Sequence, residues 1–288
     1  MTRIVVGLAA LTLSCRPSPG RSGQSAPPPD TLSDIPARTP STSSGSFAYV
    51  DSTGTQLLAF VALHEPIKIR AAACAGVGVL PVRYDRRLSQ NYSKDTGRQE
   101  ASNFRNQAGN VYQAENVFRV VEGKAWPHDT CYLSADSSLL ANAVNVHDLG
   151  SSECLPDQSA RLAAARPRRV MHCWRLGRTP SNAEVLAAQY ATIDTNALAS
   201  LVVMREGSLV FQDMPAVDRG DSGTVWRVDD GGIFSPQVFR ILFVAELPHA
   251  YVMAIEWEGV EGDYYQLLRA DSTDAFRTLT DGYRYHGR

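Results

Sequence analysis

The stretch Thr224-Val-Trp-Arg-Val-Asp-Asp-Gly-Gly-Ile-Phe234 is echoed 108 residues earlier by Asn116-Val-Phe-Arg-Val-Val-Glu-Gly-Lys-Ala-Trp126. Val117, Arg119, Val120 and Gly123 recur as Val225, Arg227, Val228 and Gly231, while Phe118, Glu122 and Trp126 are answered by Trp226, Asp230 and Phe234. Alternate side chains of an extended chain share a face, so each copy reads as a strand with valine and arginine on one side and an acidic-glycine turn at its end. Arg119 and Arg227 are expected to pin these hairpins by pairing with the carboxylate that follows, and a ligand role is their second possible use. Duplication of a module is one source of the echo; two similar hairpins are the other.

The surroundings of both copies are β-rich. Phe47 to Val50, Gln56 to Val61, Pro66 to Arg70 and Gly76 to Val82 are short apolar runs separated by turn residues such as Asp51-Ser-Thr-Gly54. The segment Asp85 to Gly109 is polar and reads as an exposed loop or a weak helix. Cys131 to Leu133 is a further strand, followed by a helical turn, and Ser159 to Arg166 reads as a short helix stopped by Pro167. Ser181 with Glu184 three residues later has the spacing of a helix N-terminus, which predicts a helix over 182–192. Beyond it, Leu198 to Met204 and Ser208 to Phe211 flank the turn Arg205-Glu-Gly207. A meander follows through Val238 to Glu246, Tyr251 to Trp257 and Tyr264 to Arg269, and Thr273 to Tyr285 supplies a last element. The expected fold is mainly β, with few helices: two consecutive antiparallel modules, 47–150 and 179–288, the second a meander of about six strands led by one helix. Residues 151–178 form a connector.

Charge narrows the partners. With 28 Lys and Arg against 30 Asp and Glu the chain has a formal charge of −2, so no global field draws it to nucleic acid. One local cluster stands out, Arg161, Arg166, Arg168, Arg169, Arg175 and Arg178 with Trp174 among them. Arg168, Arg169 and Trp174 are the candidates for holding an anionic group, against a plain solvated connector. No histidine pair or Asp-x-Asp-x-Asp-Gly run offers a local metal site, and no cofactor motif is present.

Two local stretches have a catalytic reading and one an adhesive reading. Gly220-Asp221-Ser222-Gly223 is similar to the nucleophile segment of trypsin-like serine proteases, and His64 precedes it, but residue 224 is threonine and the histidine's context is missing. Glu256 and Glu258 share a strand face opposite Trp257, an arrangement that glycosidases use and that exposed sheet faces also show. Arg219-Gly220-Asp221 is an adhesion tripeptide of very low information content.

The N-terminus decides the compartment expected. Met1-Thr-Arg3, the apolar run Ile4 to Leu13, and Ser14-Cys15 have the build of an export signal over 1–14, too short to span a bilayer. Leu11-Thr-Leu-Ser-Cys15 resembles the lipobox of bacterial lipoproteins, with Thr12 where leucine is usual. The resemblance implies lipidation of Cys15 and, with Arg16 next, display at the outer membrane or cell surface. Simple secretion is the outcome if the lipobox fails. Residues 15–46 form a Pro/Ser-rich tether, with seven prolines and eight serines between Arg16 and Ser46, too poor in apolar surface to fold. Cys74, Cys131, Cys154 and Cys173 then remain, an even set that predicts two disulfides with three pairings open. The function expected is a non-catalytic binding or interaction module of the cell envelope, held to the membrane by its lipid. An extracytoplasmic hydrolase of glycan or peptide is the alternative.

Overall fold

Antiparallel pairing accounts for every strand ladder in the computed structural model, which describes residues 45–114, 129–220, 223–226, 234–271 and 274–287. Cys15, Arg119 and Arg227, with most of both echoed stretches, lie outside the described residues. The fold is mainly β. In chain order, β1 (Gly45–Val50), β2 (Gln56–Ala59), β3 (Ala71–Cys74), β4 (Gly78–Leu88), β5 (Gly109–Ala114) and β6 (Thr130–Ser134) close into a barrel of order β1-β2-β5-β4-β3-β6. Then come α1 (Ser137–Ala141), β7 (Ala143–Val144), β8 (His147–Glu153), α2 (Pro156–Ala165), β9 (Val170–Arg178), β10 (Glu184–Tyr190), β11 (Asn196–Arg205), β12 (Ser208–Asp218) and β13 (Thr224–Val225). Strands β8 to β13 form a sequential six-stranded meander. The chain ends with β14 (Phe239–Leu247), β15 (Ala250–Glu258), β16 (Gly262–Asp271) and β17 (Arg277–Tyr285), a second meander to which β7 adds a fifth strand beside β14.

Alternation along the strands stacks these sheets into layers. In β1, Ala48 and Val50 point into the barrel with Leu57, Leu80, Tyr112 and Leu133, whereas Phe47 points out onto Phe243, Val252, Ala254 and Tyr265 of the five-stranded sheet. The opposite face of that sheet, Val244, Met253, Ile255 and Leu268, packs on Val185, Ala187, Leu201 and Val203 of the six-stranded sheet. The outer face of the six-stranded sheet, Leu186, Val202 and Phe211, is covered by Leu162 of α2. The five-stranded sheet is therefore the middle layer, and its strand β15 reads as a continuous apolar run because both faces are buried. Gly282 of β17 fits the close approach to the barrel: a Cβ there would lie 3.0 Å from the Phe60 ring.

Several elements differ from the sequence expectation, each for a local reason. Residues 184–190, expected as helix, are strand β10 at the centre of the meander. The two presumed N-terminal helix signals are used in tertiary contacts instead: Ser181 donates to the Glu246 carboxylate, and Glu184 accepts from Arg175 at 2.8 Å. Pro66–Lys68 is a 3-10 turn with Pro66 at its start, and the strand begins only at Ala71. The basic stretch is no loose connector, since Val170–Arg178 is β9, hydrogen-bonded between β8 and β10. The expected short helix is α2, opened by Pro156 and closed at its start by the Gln158 side chain, whose oxygen accepts the Leu155 amide at 2.8 Å.

Two disulfides are present. Cys74 and Cys131 face each other across β3 and β6 inside the barrel, and Cys154 bonds Cys173 of β9. A buried ionic knot then joins the barrel to the middle layer. The Arg284 guanidinium of β17 is only 6% exposed and donates to both carboxylate oxygens of Asp129, at 2.6 Å for the longer contact. It also donates to Thr130 Oγ1 and to the Gln99 carbonyl at 2.7 Å, and lies 5.2 Å from the Tyr49 ring centre. Gln99 belongs to the polar stretch 85–109, which straps onto β17 through a second bond, Gln99 N–H to the Tyr285 carbonyl.

Candidate functional site

Polar and apolar residues together line a groove of about 520 Å³ where the barrel, the bulged strand β8 and the start of β14 meet. Its walls are the β3–β4 turn at Ala75 and Gly76, the segment Asp148 to Ser151, and the run Pro236 to Ile241.

Each wall follows from local sequence. In β8 the pairing with β9 slips between Asp148 and Ser152, so the residues between them bulge away from the sheet. Gly150 at φ 65° and Ser151 at φ 55° both take the left-handed conformation there. The bend is closed by the Asp148 carboxylate, which accepts the Gly150 amide at 2.8 Å. A non-glycine residue held left-handed costs on the order of 1 kcal/mol, so the bulge is maintained against strain. On the opposite wall, Pro236–Val238 is a 3-10 turn whose Ser235 hydroxyl accepts the Gln237 amide. Strand β14 leaves this turn with an open edge, because β7 pairs with it only at Val244 and Ala245. Among the described residues, Phe239 to Ile241 have no strand neighbour on that side.

Arg240 is the charged residue of this edge. Its Nη1 donates to Glu256 Oε1 at 2.8 Å, directly across the β14–β15 ladder, and its Nη2 lies 3.9 Å from Glu258 Oε2. The two glutamates do share a face, but that face is covered by the barrel layer at Glu256, which is 2% exposed. Burial pushes the Glu256 carboxyl up to about 7; Arg240 pulls it down, Asp263 and Asp129 push it further up, and Arg284 opposes them. The contrast with Glu184 is instructive. There, too, burial pushes the carboxyl up, yet hydrogen bonds from Arg175, Arg178 and Gln158 together outweigh it and hold the group at about 2.

Glu256 makes a pH prediction. Folded, it keeps its proton to about pH 7; unfolded, it loses it near the ordinary 4.5. Between those values the folded state binds the extra proton, so stability falls as pH rises, by about 3 kcal/mol in total once pH is well above 7. Denaturant unfolding at pH 5 and pH 8 should show this loss in the wild-type chain and a much smaller one in Glu256→Gln. An identical pH dependence in both proteins would exclude Glu256 as its source.

The groove adjoins a row of aromatic rings that closes the end of the sandwich. Phe239 lines the groove and lies 4.9 Å from Trp257 and 5.4 Å from Phe234, ring centre to ring centre. Phe234 in turn contacts Trp226 at 5.2 Å and Trp174 at 6.2 Å, and Trp174 stacks on the exposed His172 at 5.5 Å. Trp226 and Phe234 are the described end residues of the stretch that organises the sequence, and both belong to this row. On the far side, Trp257 pairs across the ladder with Tyr264, and Tyr264 with Tyr283.

The residues singled out from sequence are dispersed. Trp174 serves the sandwich core and borders a small cleft of about 220 Å³ with Met171 and His172. Arg168 donates to the Asn196 carbonyl at 2.8 Å, and Arg169 is exposed. Their neighbours in the cluster have partners inside the fold: Arg166 bonds Asp213 and covers the Phe211 ring at 3.9 Å, while Arg175 and Arg178 grip Glu184. His64 is exposed, and Asp221 and Ser222 lie outside the described residues. Asp148, Ser151, Gln237 and Arg240 were not marked by sequence reasoning. The available signal for Arg240 was its position as the lone charge in the apolar run Val238 to Ala245. No protein family, curated protein or solved structure matches the chain.

Proposed function

We propose that this chain is an exported, lipid-anchored envelope protein that works as a binding module, taking a small ligand in the groove beside Phe239 and Arg240. The observation that carries the binding role is the groove itself. It is concave, lies where three layers meet, falls within the roughly 300–1,000 Å³ common for small-molecule sites, and combines an apolar wall with a few polar groups. Export and anchoring are supported by the lipobox-like Leu11 to Cys15, by the Pro/Ser-rich tether, and by two disulfides of a kind that persist in oxidising compartments. A hydrolase of glycan or peptide is the second reading, with Glu256 beside Arg240 as its candidate acid; Glu256 is 2% exposed and outside the groove lining, so the binding role comes first.

A thermal-shift screen of the purified mature protein against sugars, amino acids, short peptides and common metabolites tests the binding role. Compounds that raise the unfolding temperature of the wild-type protein are expected to lose that effect in the double variant Asp148→Asn, Gln237→Ala; both residues are exposed, and asparagine keeps the oxygen that accepts the Gly150 amide, so the variant should fold normally. A screen in which no compound separates the two proteins would overturn the groove as the binding site. Turnover of a bound compound that Glu256→Gln abolishes would replace the binding module by the hydrolase. For the anchor, metabolic labelling with a clickable palmitate analogue is expected to mark the wild-type chain and not Cys15→Ser, which should leave the membrane fraction. An unlabelled wild-type chain would remove the anchor.

A further inference from the structure

Resting on the groove as the binding site, we infer that its ligand is an uncharged, hydroxyl-rich ring compound: a neutral mono- or disaccharide. A sugar ring has an apolar face and a rim of hydroxyls that both donate and accept, and the groove provides for each. Phe239, Ile241 and Leu176 give apolar surface on one side. Around it stand an acceptor, Asp148; a group of both kinds, Ser151; an amide, Gln237; and a donor, Arg240.

Charge argues against an anionic ligand. The Arg240 guanidinium bonds the Glu256 carboxyl at 2.8 Å and has the Glu258 carboxylate 3.9 Å away to offset its charge, so it lines the groove as a hydrogen-bond donor and not as an uncompensated cation. Asp148 adds a carboxylate on the facing wall, and an incoming acid would meet it directly. Among the described residues the open edge of β14 runs from Phe239 to Phe243, between the 3-10 turn Pro236–Val238 and the pairing of β7 at Val244. An added peptide strand would use the backbone groups of this edge and not the side chains of Asp148 and Gln237, so trialanine is included in the test. The open backbone groups of the edge remain as further hydrogen-bond partners for ligand hydroxyls.

The test is calorimetric titration of the full mature protein with cellobiose, maltose, N,N′-diacetylchitobiose, digalacturonate and trialanine, with tryptophan emission as a parallel readout because Trp257 lies 4.9 Å from Phe239. At least one neutral disaccharide is expected to bind, and to bind about tenfold or more weakly to Asp148→Asn and to Gln237→Ala, the loss expected for one polar contact each. Digalacturonate or trialanine binding in the groove, lost in both variants, with no neutral sugar bound, would overturn the ligand class and leave the groove standing. Sugar binding that neither variant weakens would also overturn it, since the sugar would sit elsewhere. If nothing binds in a way the variants alter, both the class and the groove fail.

Discussion

Asp129→Ala is expected to lower the unfolding free energy by about 3–5 kcal/mol, and Arg284→Met by clearly less, although the two side chains form one ion pair. The asymmetry comes from burial. The Arg284 side chain is 8% exposed and that of Asp129 is 36% exposed. Removing Asp129 strands a guanidinium in a closed interface, where neutral groups such as Thr130, the Gln99 carbonyl, Tyr265 and the Tyr49 ring are left to it. Removing Arg284 takes away the buried charge itself and leaves a carboxylate that water can reach. The methionine also fills part of the space under Tyr49. Urea unfolding of the two single variants and the double variant decides the matter, the double variant being expected near Arg284→Met. Equal losses in the single variants would mean that the knot is solvated and does not lock the barrel to the middle layer.

The second large effect belongs to the barrel disulfide. Replacing Cys74 and Cys131 together by serine or alanine is expected to cost about 4 kcal/mol, and replacing Cys154 and Cys173 about 3 kcal/mol, from the chain entropy released by loops of 57 and 19 residues. Position widens the gap. The first bond lies in the barrel interior against Leu133, Ala72 and Leu80, where two serine hydroxyls would lack partners, whereas the second sits in the outer layer beside α2. Chemical denaturation of the alanine and serine pairs separates these terms. Serine should be worse than alanine at 74 and 131 and nearly equal to it at 154 and 173. A smaller loss at the barrel pair than at the outer pair would contradict the loop-length account.

The β content was legible in the sequence because short apolar runs rich in β-branched and aromatic residues are bounded by turn residues. Strands β1, β11, β12 and the terminal meander were read from apolar runs bounded by turn residues, and all of them are present. The failures have a common cause. Strand β10 is buried on both faces, with Val185 and Ala187 on one side and Leu186 and Ala188 on the other, so periodicity could not separate strand from helix and the Ser181–Glu184 spacing tipped the reading. The layered arrangement was out of reach because it depends on which sheet face meets which, as when Phe47 of the barrel meets Tyr265 near the other end of the chain at 5.4 Å. The groove was hidden for the same reason. Asp148 comes from a segment far in sequence from Gln237 and Arg240, and none forms a motif. The disulfide cysteines were legible as a set, while their pairing needed the register that puts Cys74 opposite Cys131.

The place of the middle layer also bears on how the chain can mature. Barrel residues 45–134 and the meander from β8 to β13 are made first, yet the sheet that covers their inward faces comes from 239–285, with only β7 supplied from upstream. As the polypeptide emerges N-terminus first, Phe47, Tyr132, Val185 and Leu201 must wait for residues 239–285 before they are shielded. Acquisition of the native state thus waits on the synthesis of β14 to β17. The sticky halves that precede it are the species most exposed to aggregation and to quality-control proteases.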